Sequence, residues 1–482
     1  METLDINIFE HNYIKHILPK YSQKRDNNYD IYLINNIITN TSVYNKYTKH
    51  INNIRTNIHD IDVITIDPPN CTDADDAFSI YEKENKLYLA VHIADPTHYI
   101  DIKSNLWNDI LNRAVTHYPS NHKPIHMMPD EIVKRSSLMT CNNEEIKNAI
   151  TVTFEINKNT YLPTNNIKLD FTEIIVKKNN IFTYQEAGGL LNHFENNISN
   201  ILKQGILIGQ KLKEKRSKKT VGTKLSDIEI MIPTFENGKI KISEFNKNEK
   251  LMKDMIAEFA VLTNSYIGEF MKKNMNGLGI FRLCNSNINS NNEISGEELL
   301  NKIIDDGIKA EYSSKESSHD LVGSNIYTHF TSPMRRVSDC ICHFLIKAYF
   351  SNKEYPWTSD ELKKISEHCY KITKKEKSIQ YDDQKFRIIQ LISTLIPNNL
   401  VEIKFRITGY SGLFLNCNIT NLLINKKIYK IHISYSLRNR NFNYYHQPND
   451  YHIIKITGVN PVEKYDEGSL IDLDNYLNNL FL

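Results

Sequence analysis

The stretch TIDPPNCTDADDAFSI (65–80) concentrates negative charge in one short turn of an otherwise nearly neutral chain. Within ten positions it carries Asp67, Asp73, Asp75 and Asp76. The apolar residues before it predict a buried strand that the two prolines stop, and the alternation after it predicts a second strand. We therefore expect the acids in a loop at the rim of a sheet.

This acidic turn is typical of a metal site. Four carboxylates within ~10 Å raise one another's pKa and destabilise a fold unless cations neutralise them. Mg²⁺ accepts one or two carboxylates and keeps coordination positions for water and phosphate oxygens. With two ions ~4 Å apart, one can activate the attacking water while the other stabilises the leaving oxygen. A calcium loop is disfavoured, because its glycine position is Phe78. A solvated acidic turn stays open.

A second stretch, YTHFTSPMRRVSDCICHFLI (327–346), is typical of a phosphate site. Ser332 followed by Pro333 predicts an N-cap and a first helical residue. Free N–H groups at a helix start and the guanidinium of Arg335 both favour anionic oxygens. This pattern predicts a helix start that binds phosphate.

The alternative for this stretch is an ordinary capped helix. Arg335 and Arg336 would then pair with Asp339 at helical spacing, and His343 would be packed in the core. We favour this packing role for Asp339 and His343, and phosphate binding for Arg335.

Composition sets broad limits. At 482 residues the chain exceeds the ~250–300 residues at which single cores stop growing, so we expect at least two units. A formal charge of +2 excludes a uniformly cationic surface. Seven cysteines without a C-x-x-C pair favour a reducing, cytoplasmic location. Neither a signal peptide nor a run of ~18 apolar residues is present, so we expect no membrane segment.

The patterns predict an α+β protein with three parts. Residues 1–50 form an N-terminal lead-in without a full RNA-binding module, and residues 51–396 alternate between strands and helices. Residues 397–482 contain five short strands with polar turns, the strand count of an OB-type β-barrel. We therefore expect a large catalytic domain followed by a small β-module.

The two stretches together resemble the signatures of the RNB family, the ribonuclease II and ribonuclease R type of exoribonucleases. TIDPPNCTDADDA resembles T-I-D-x5-D-x-D-D-A, and YTHFTSPMRRVSD resembles Y-x-H-F-T-S-P-I-R-R-x-x-D. Other family-like pieces stand in order, among them VHIADPTHYI, THYPSN and FTYQEA. The resemblance spans roughly residues 50–395 and implies a mixed sheet surrounded by helices.

The resemblance implies hydrolytic 3′→5′ degradation of single-stranded RNA to 5′-nucleoside monophosphates. It assigns the four aspartates to the binding of Mg²⁺, as two ions for which Mn²⁺ is a possible substitute, and makes Asp75 indispensable. Arg335 corresponds to the arginine at the reacting phosphate, next to Arg336 as a further RNA contact. Tyr118 corresponds to an aromatic residue that stacks on the terminal base, and Tyr184 to a tyrosine near the scissile end.

Other functions and contacts stay open. A non-catalytic RNA-binding regulator on the same fold is the main alternative, and a metal-dependent DNA nuclease is a third. Two basic tracts, 211–219 and 437–447, are candidates to guide the strand, although a solvated helix face is an equal interpretation of the first. We expect a monomer that binds single-stranded RNA.

Overall fold

The computed structural model describes residues 9–21, 47–139, 145–192, 197–236, 238–243, 246–288, 294–411, 414–438 and 451–456. Its helices are α1 (9–21), α2 (Thr48–Ile54), α3 (Asn105–Arg113), α4 (Asp130–Ser136), α5 (Tyr184–Leu190), α6 (Asn197–Ser217), α7 (Lys247–Asn274), α8 (Gly296–Asp305), α9 (Val337–Phe350) and α10 (Ser359–Leu395). Short 3₁₀ turns are Pro96–Tyr99, Lys178–Asn180, Val221–Asp227 and Ile396–Asn398.

The strands fall into a central sheet, three pairs and a C-terminal sheet. They are β1 (Thr56–Asn57), β2 (Thr65–Asp67), β3 (Asp76–Lys83), β4 (Lys86–Ala94), β5 (Ile146–Ile156), β6 (Pro163–Ile175), β7 (Ile181–Thr183), β8 (Pro233–Glu236), β9 (Lys239–Ile242), β10 (Phe281–Leu283), β11 (Glu311–Ser313), β12 (Val401–Ser411), β13 (Phe414–Ile424), β14 (Lys427–Arg438) and β15 (Tyr451–Ile456). Among the described helices, none combines the length and hydrophobicity needed to cross a bilayer.

The central sheet is mixed, in the order β1-β6-β5-β4-β3. β1 pairs in parallel with β6, and the other neighbours are antiparallel. α6 and α7 cover the sheet, and Gly205 allows their close approach, because a Cβ there would lie 2.6 Å from the sulfur of Met255 and 3.3 Å from Ile80. α9 is buried along most of its length in the same core. The α+β prediction with a mixed sheet and surrounding helices is confirmed.

The C-terminal sheet is antiparallel, in the order β14-β13-β12-β15. It is consistent with an OB-type module, although the described strands do not close into a barrel. One of the five short strands predicted for this part of the chain, FNYYH (442–446), lies outside the described residues.

A second core joins the two ends of the chain. Phe9 and Tyr13 of α1 pack with Phe386 and Ile389 of α10 and with Ile403 of β12. The N-terminal segment has too few apolar residues for a core of its own, but it completes this one.

Candidate active site

The backbone of the acidic turn follows the predicted strand–turn–strand course. β2 ends at Asp67, which pairs with Thr183 of β7 in parallel. Pro68 and Pro69 cannot extend the ladder, and Asn70 takes a left-handed conformation (φ 62°) that asparagine tolerates well. β3 then begins at Asp76. The turn therefore brings both strand ends to one rim.

Asp75 joins the two sequence motifs. Its Oδ1 accepts a hydrogen bond from the backbone N–H of Met334 (2.8 Å), and its Oδ2 lies 3.2 Å from Nε of Arg335. The carbonyl of Asp75 accepts from the N–H of Ala94, which fixes it to β4. Residues far apart in sequence thus meet at one buried carboxylate.

The prediction that Ser332 caps a helix beginning at Pro333 is wrong. Residues 333–335 form a turn, and α9 begins at Val337. The reason is a competing pairing with the segment 114–116. The carbonyl of Arg335 accepts from the N–H of Thr116, and the N–H of Val337 donates to the carbonyl of Ala114. Backbone groups that a helix would use are therefore bonded elsewhere, and the phosphate-facing element is a turn.

The acids of the turn are electrostatically strained. Burial, with the Asp76 charge second, raises the pKa of Asp67 to about 7. Burial also raises the pKa values of Asp75 and Asp76, although the nearby Arg335 opposes both shifts. Oδ2 of Asp67 is buried without a hydrogen-bond partner among the described residues. Such a group costs free energy unless a cation or donor joins it.

These acids fit a divalent cation in part. Within the described ranges, no group of three or more His, Cys, Asp or Glu side chains is already arranged to hold a metal ion. Both oxygens of Asp75 face protein donors, so its first role is to hold the Met334–Arg335 turn. Asp67 and Asp76 are better placed to bind a cation. One oxygen of Asp67 has no hydrogen-bond partner among the described residues, and the charge of Asp76 is close enough to raise the pKa of Asp67.

Asp73 contacts one of the predicted tyrosines. The hydroxyl of Tyr118 donates to Oδ2 of Asp73 at 2.5 Å, and the Tyr118 side chain stays 39% exposed. Burial, followed by the Asp73 charge, raises the pKa of Tyr118, which keeps the phenol protonated as a donor. Nδ1 of His126 lies 3.8 Å from the same oxygen. Tyr118 thus lies at the mouth of the acidic site.

Tyr184 directly follows Thr183, the residue of β7 that pairs with Asp67. It is the first residue of α5, whose start is a capping box between Thr183 and Glu186. Burial raises the pKa of Tyr184, and the charges of Asp76 and Asp67 are the next contributions. The structure therefore brings both predicted tyrosines to the acidic turn.

The two arginines have different surroundings. Nη2 of Arg335 donates to Oγ of Ser332 (2.8 Å), and the Arg335 side chain remains 49% exposed. Arg336 forms two hydrogen bonds with the buried carboxylate of Asp339 (3.0 and 2.8 Å), as in the packing alternative for this helix. Asp339 also accepts from the N–H of Ser332 (2.8 Å). Arg336 braces the turn, and its RNA contact stays a prediction.

Sequence reasoning missed Cys71 and His126. The thiol of Cys71 lies 3.7 Å from Oδ1 of both Asp67 and Asp73. Burial, followed by the Asp67 and Asp73 charges, raises the pKa of Cys71, so it stays a neutral donor. Its position inside the opening stretch was the available signal, whereas His126 comes from a distant loop.

The basic tracts give one structural result. In the tract 211–219, Lys211 pairs with Glu214, and Arg216 pairs with Glu258. The exposed Lys211–Glu214 pair fits a solvated helix face, whereas Arg216 and Glu258 form a largely buried pair between α6 and α7. The tract 437–447 lies almost entirely outside the described residues.

Comparisons place these features among known proteins. An RNB domain model matches residues 55–352. The human exosome complex exonuclease RRP44 is 25% identical over 369 residues, which are 68% of this chain and 38% of the human protein. The structure of Mycoplasma genitalium RNase R in complex with double-stranded RNA aligns with a TM-score of 0.68 and 18% identity, over 94% of this chain and 82% of that chain.

A second solved structure also shares the fold. The structure of yeast Ssd1, a pseudonuclease, aligns with a TM-score of 0.58 and 17% identity, over 81% of this chain and 51% of that chain. The chain spans about half the length of the curated relatives that it matches.

Proposed function

Because the chain belongs to the RNB family, we propose that it is a hydrolytic 3′→5′ exoribonuclease that converts single-stranded RNA to 5′-nucleoside monophosphates. The observation that supports this most is the contact of Asp75 with Met334 and Arg335, which joins the acidic turn to the arginine turn. A phosphate held by Arg335 would lie beside the carboxylates. This juxtaposition suits phosphodiester cleavage at a strand end.

Each side chain has a role in this proposal. Asp67 and Asp76 hold divalent cations, Asp73 assists them, and Asp75 fixes Arg335 against the scissile phosphate. RNB nucleases depend on divalent metals in general, and we propose Mg²⁺, as two ions, with Mn²⁺ as a substitute. Bound metal would lower the pKa of a water and stabilise charge on the phosphate oxygens.

The RNA contacts come from the remaining predicted residues. Tyr118 and Tyr184 stack on the last bases, since every base has a π-face and stacking is worth ~1–3 kcal/mol per base. Arg335 contacts the reacting phosphate, and Arg336 supports it through the turn. We also propose that residues 51–396 form the catalytic domain and that the protein acts in the cytoplasm as a monomer.

The alternative is a non-catalytic RNA-binding regulator. Two observations favour it: the described acids form no ready group of three metal ligands, and the fold is similar to that of a pseudonuclease. In this case RNA would bind without being shortened.

One experiment separates the two. Purified protein is incubated with 5′-labelled single-stranded RNA in Mg²⁺ or in EDTA, beside Asp75→Asn and the matched surface variant Asp227→Asn. Asp227 is an exposed acid paired with Lys213. In Mg²⁺ we expect a ladder of products shortened from the 3′ end for the wild type and for Asp227→Asn, and no ladder for Asp75→Asn. No protein should produce a ladder in EDTA. Binding without shortening in the wild type would support the regulator, and cutting of a circular RNA would contradict an exonuclease.

A further inference from the structure

A single buried carboxylate anchors the loop that carries Tyr118. Asp383, on α10, is 2% exposed, and its Oδ2 accepts three hydrogen bonds. The donors are the hydroxyl of Tyr13 (2.8 Å), the hydroxyl of Tyr21 (2.8 Å) and the backbone N–H of Ser120 (2.9 Å). Hydrogen bonds to an ionised acceptor are roughly twice as strong as neutral ones. Asp383 therefore ties α1 to the backbone two residues after Tyr118.

Arg387, one helical turn beyond Asp383, binds the carbonyl group of the same residue, Ser120. Its Nη2 donates to the carbonyl of Ser120 (2.9 Å), and its Nη1 donates to Glu10 (3.1 Å). The guanidinium lies 3.6 Å from the ring centre of Tyr13. Its Nε is 4.0 Å from Oδ1 of Asp383, so the buried carboxylate has a countercharge. Both backbone groups of Ser120 are thus bonded.

The histidines on either side of Tyr118 are held as well. The ring of His122 stacks on Tyr13 with centres 5.2 Å apart and planes 3° apart. The ring of His117 bonds to Glu376 of α10 and contacts the ring of Tyr21. The loop 117–122 is therefore fixed from two directions, by α1 and by α10.

We infer that Asp383 is a positioning residue for Tyr118, and that α1 belongs to the support of the active site through Tyr13 and Tyr21. Among the residues that the structure describes, the partly exposed Tyr118 side chain itself makes one hydrogen bond, to Asp73. The contacts of Asp383 and Arg387 with Ser120 are called the clamp here. Ordering a side chain and its loop costs conformational entropy, and the clamp orders the loop before RNA binds, so that less entropy is lost on binding. This inference rests on the proposed RNA contact of Tyr118.

The test compares three variants with the wild type. Asp383→Ala removes the shared acceptor, and Tyr13→Phe/Tyr21→Phe removes two donors while keeping the packed rings. Asp382→Ala is the matched control, because Asp382 lies beside Asp383 on α10 and pairs with Lys20 of α1 at the surface (2.7 Å). Amide hydrogen exchange of the peptide 116–126 reads the clamp without RNA, and anisotropy of labelled single-stranded RNA in EDTA reads binding without turnover.

We expect faster exchange in this peptide for Asp383→Ala and for the double tyrosine variant, and wild-type exchange for Asp382→Ala. RNA affinity should fall roughly tenfold in Asp383→Ala, as for one lost stacking contact. The fall should vanish when Tyr118→Ala is already present, because residues that act through one another are not additive. Unchanged exchange, or losses that multiply in the Tyr118→Ala background, would overturn the inference.

The two hypotheses fail in different ways. Wild-type protein that never shortens RNA would count against the exoribonuclease, and hydrogen exchange would still decide the clamp. A merely structural role of Asp383 would lower stability and slow turnover equally with and without the Tyr118 side chain, which the double-variant cycle detects.

Discussion

Two buried acidic centres lie in the same domain and are built in opposite ways. Asp95, after β4, is paired on both sides, with Nη2 of Arg55 2.5 Å from Oδ2 and Nζ of Lys347 2.6 Å from Oδ1. Burial alone would raise the pKa of Asp95, but Lys347 and Arg55 hold it far below its usual range. In the acidic turn, burial raises the pKa of Asp67 to about 7, and the hydrogen bond from Cys71 and the charge of Arg335 oppose this shift only in part.

The difference separates structure from function. At Asp95 the fold supplies two cations, so the negative charge of the carboxylate is compensated within the protein, and the three side chains connect the ends of α2 and β4 with α9. At the acidic turn the fold leaves negative charge uncompensated, which costs stability unless something positive binds. An acid whose charge is satisfied internally indicates a structural role, and crowded acids with raised pKa values indicate a ligand.

The largest expected effect is on stability, from Asp95→Asn. The variant leaves Arg55 and Lys347 buried without a countercharge, a change that costs about 3–5 kcal/mol. Urea unfolding at pH 7 measures it, with Asp227→Asn as the control. Because the pKa of Asp95 is depressed in the folded state, its contribution is present above the unfolded value of ~3.9 and is lost as the pH falls further. A loss below about 1 kcal/mol would contradict the structural role.

The next effect is on turnover, from Asp75→Asn. The amide keeps the acceptor for Met334 and loses the charge that holds Arg335, so we expect kcat to fall roughly 10²–10³-fold. Initial rates on single-stranded RNA measure the loss, and urea unfolding should show stability within about 1 kcal/mol of the wild type. Equal damage to folding and to turnover would remove the distinction between the two centres.

Asp67→Asn should stabilise the metal-free protein. The folded pKa of about 7 lies above the ordinary value, so the native state holds an extra proton and stability falls as the pH rises from about 4 to about 7. The amide removes this slope, with an expected gain of about 1–2 kcal/mol at pH 8 after allowance for solvent screening. Thermal unfolding in EDTA across this pH range measures it. A destabilised variant with an unchanged slope would count against strain at this acid.

The smallest effect is expected from Lys211→Ala in the basic tract. Lys211 pairs with Glu214 at the surface, and such pairs contribute about 0–1 kcal/mol. RNA affinity should change less than about twofold, in contrast to Arg335→Ala, which loses a phosphate contact. Anisotropy at fixed salt concentration compares the two. A larger loss of RNA affinity for Lys211→Ala than for Arg335→Ala would indicate that RNA binds along α6.

The sequence predicted those parts of the site that depend on local patterns. Asp67 ends one strand and Asp76 starts the next. Both bounds were predictable, because prolines and the alternation of apolar and polar residues are local signals. The predicted start of α9 was wrong, because the segment 114–116 forms backbone hydrogen bonds with Arg335 and Val337. No local rule encodes a partner more than 200 residues away.

The same reason explains the other omissions. Cys71 was within the opening stretch, but its approach to Asp67 depends on how the turn folds. The N-terminal tyrosines reach Asp383 across more than 360 positions, so their role follows from tertiary packing alone. Tyr118 and Tyr184 were predicted as site residues from the family resemblance. Taken alone, each tyrosine would have been interpreted as an ordinary core or surface residue.

The most direct test follows the fate of the last nucleotide. RNA labelled at its 3′-terminal nucleotide is mixed with the protein and Mg²⁺, and the first labelled product is identified by chromatography. A 3′→5′ exoribonuclease releases the label first as a 5′-mononucleotide, and we expect this in Mg²⁺ and not in EDTA. Release of the label in oligonucleotides, or intact RNA that stays bound in Mg²⁺, would contradict it.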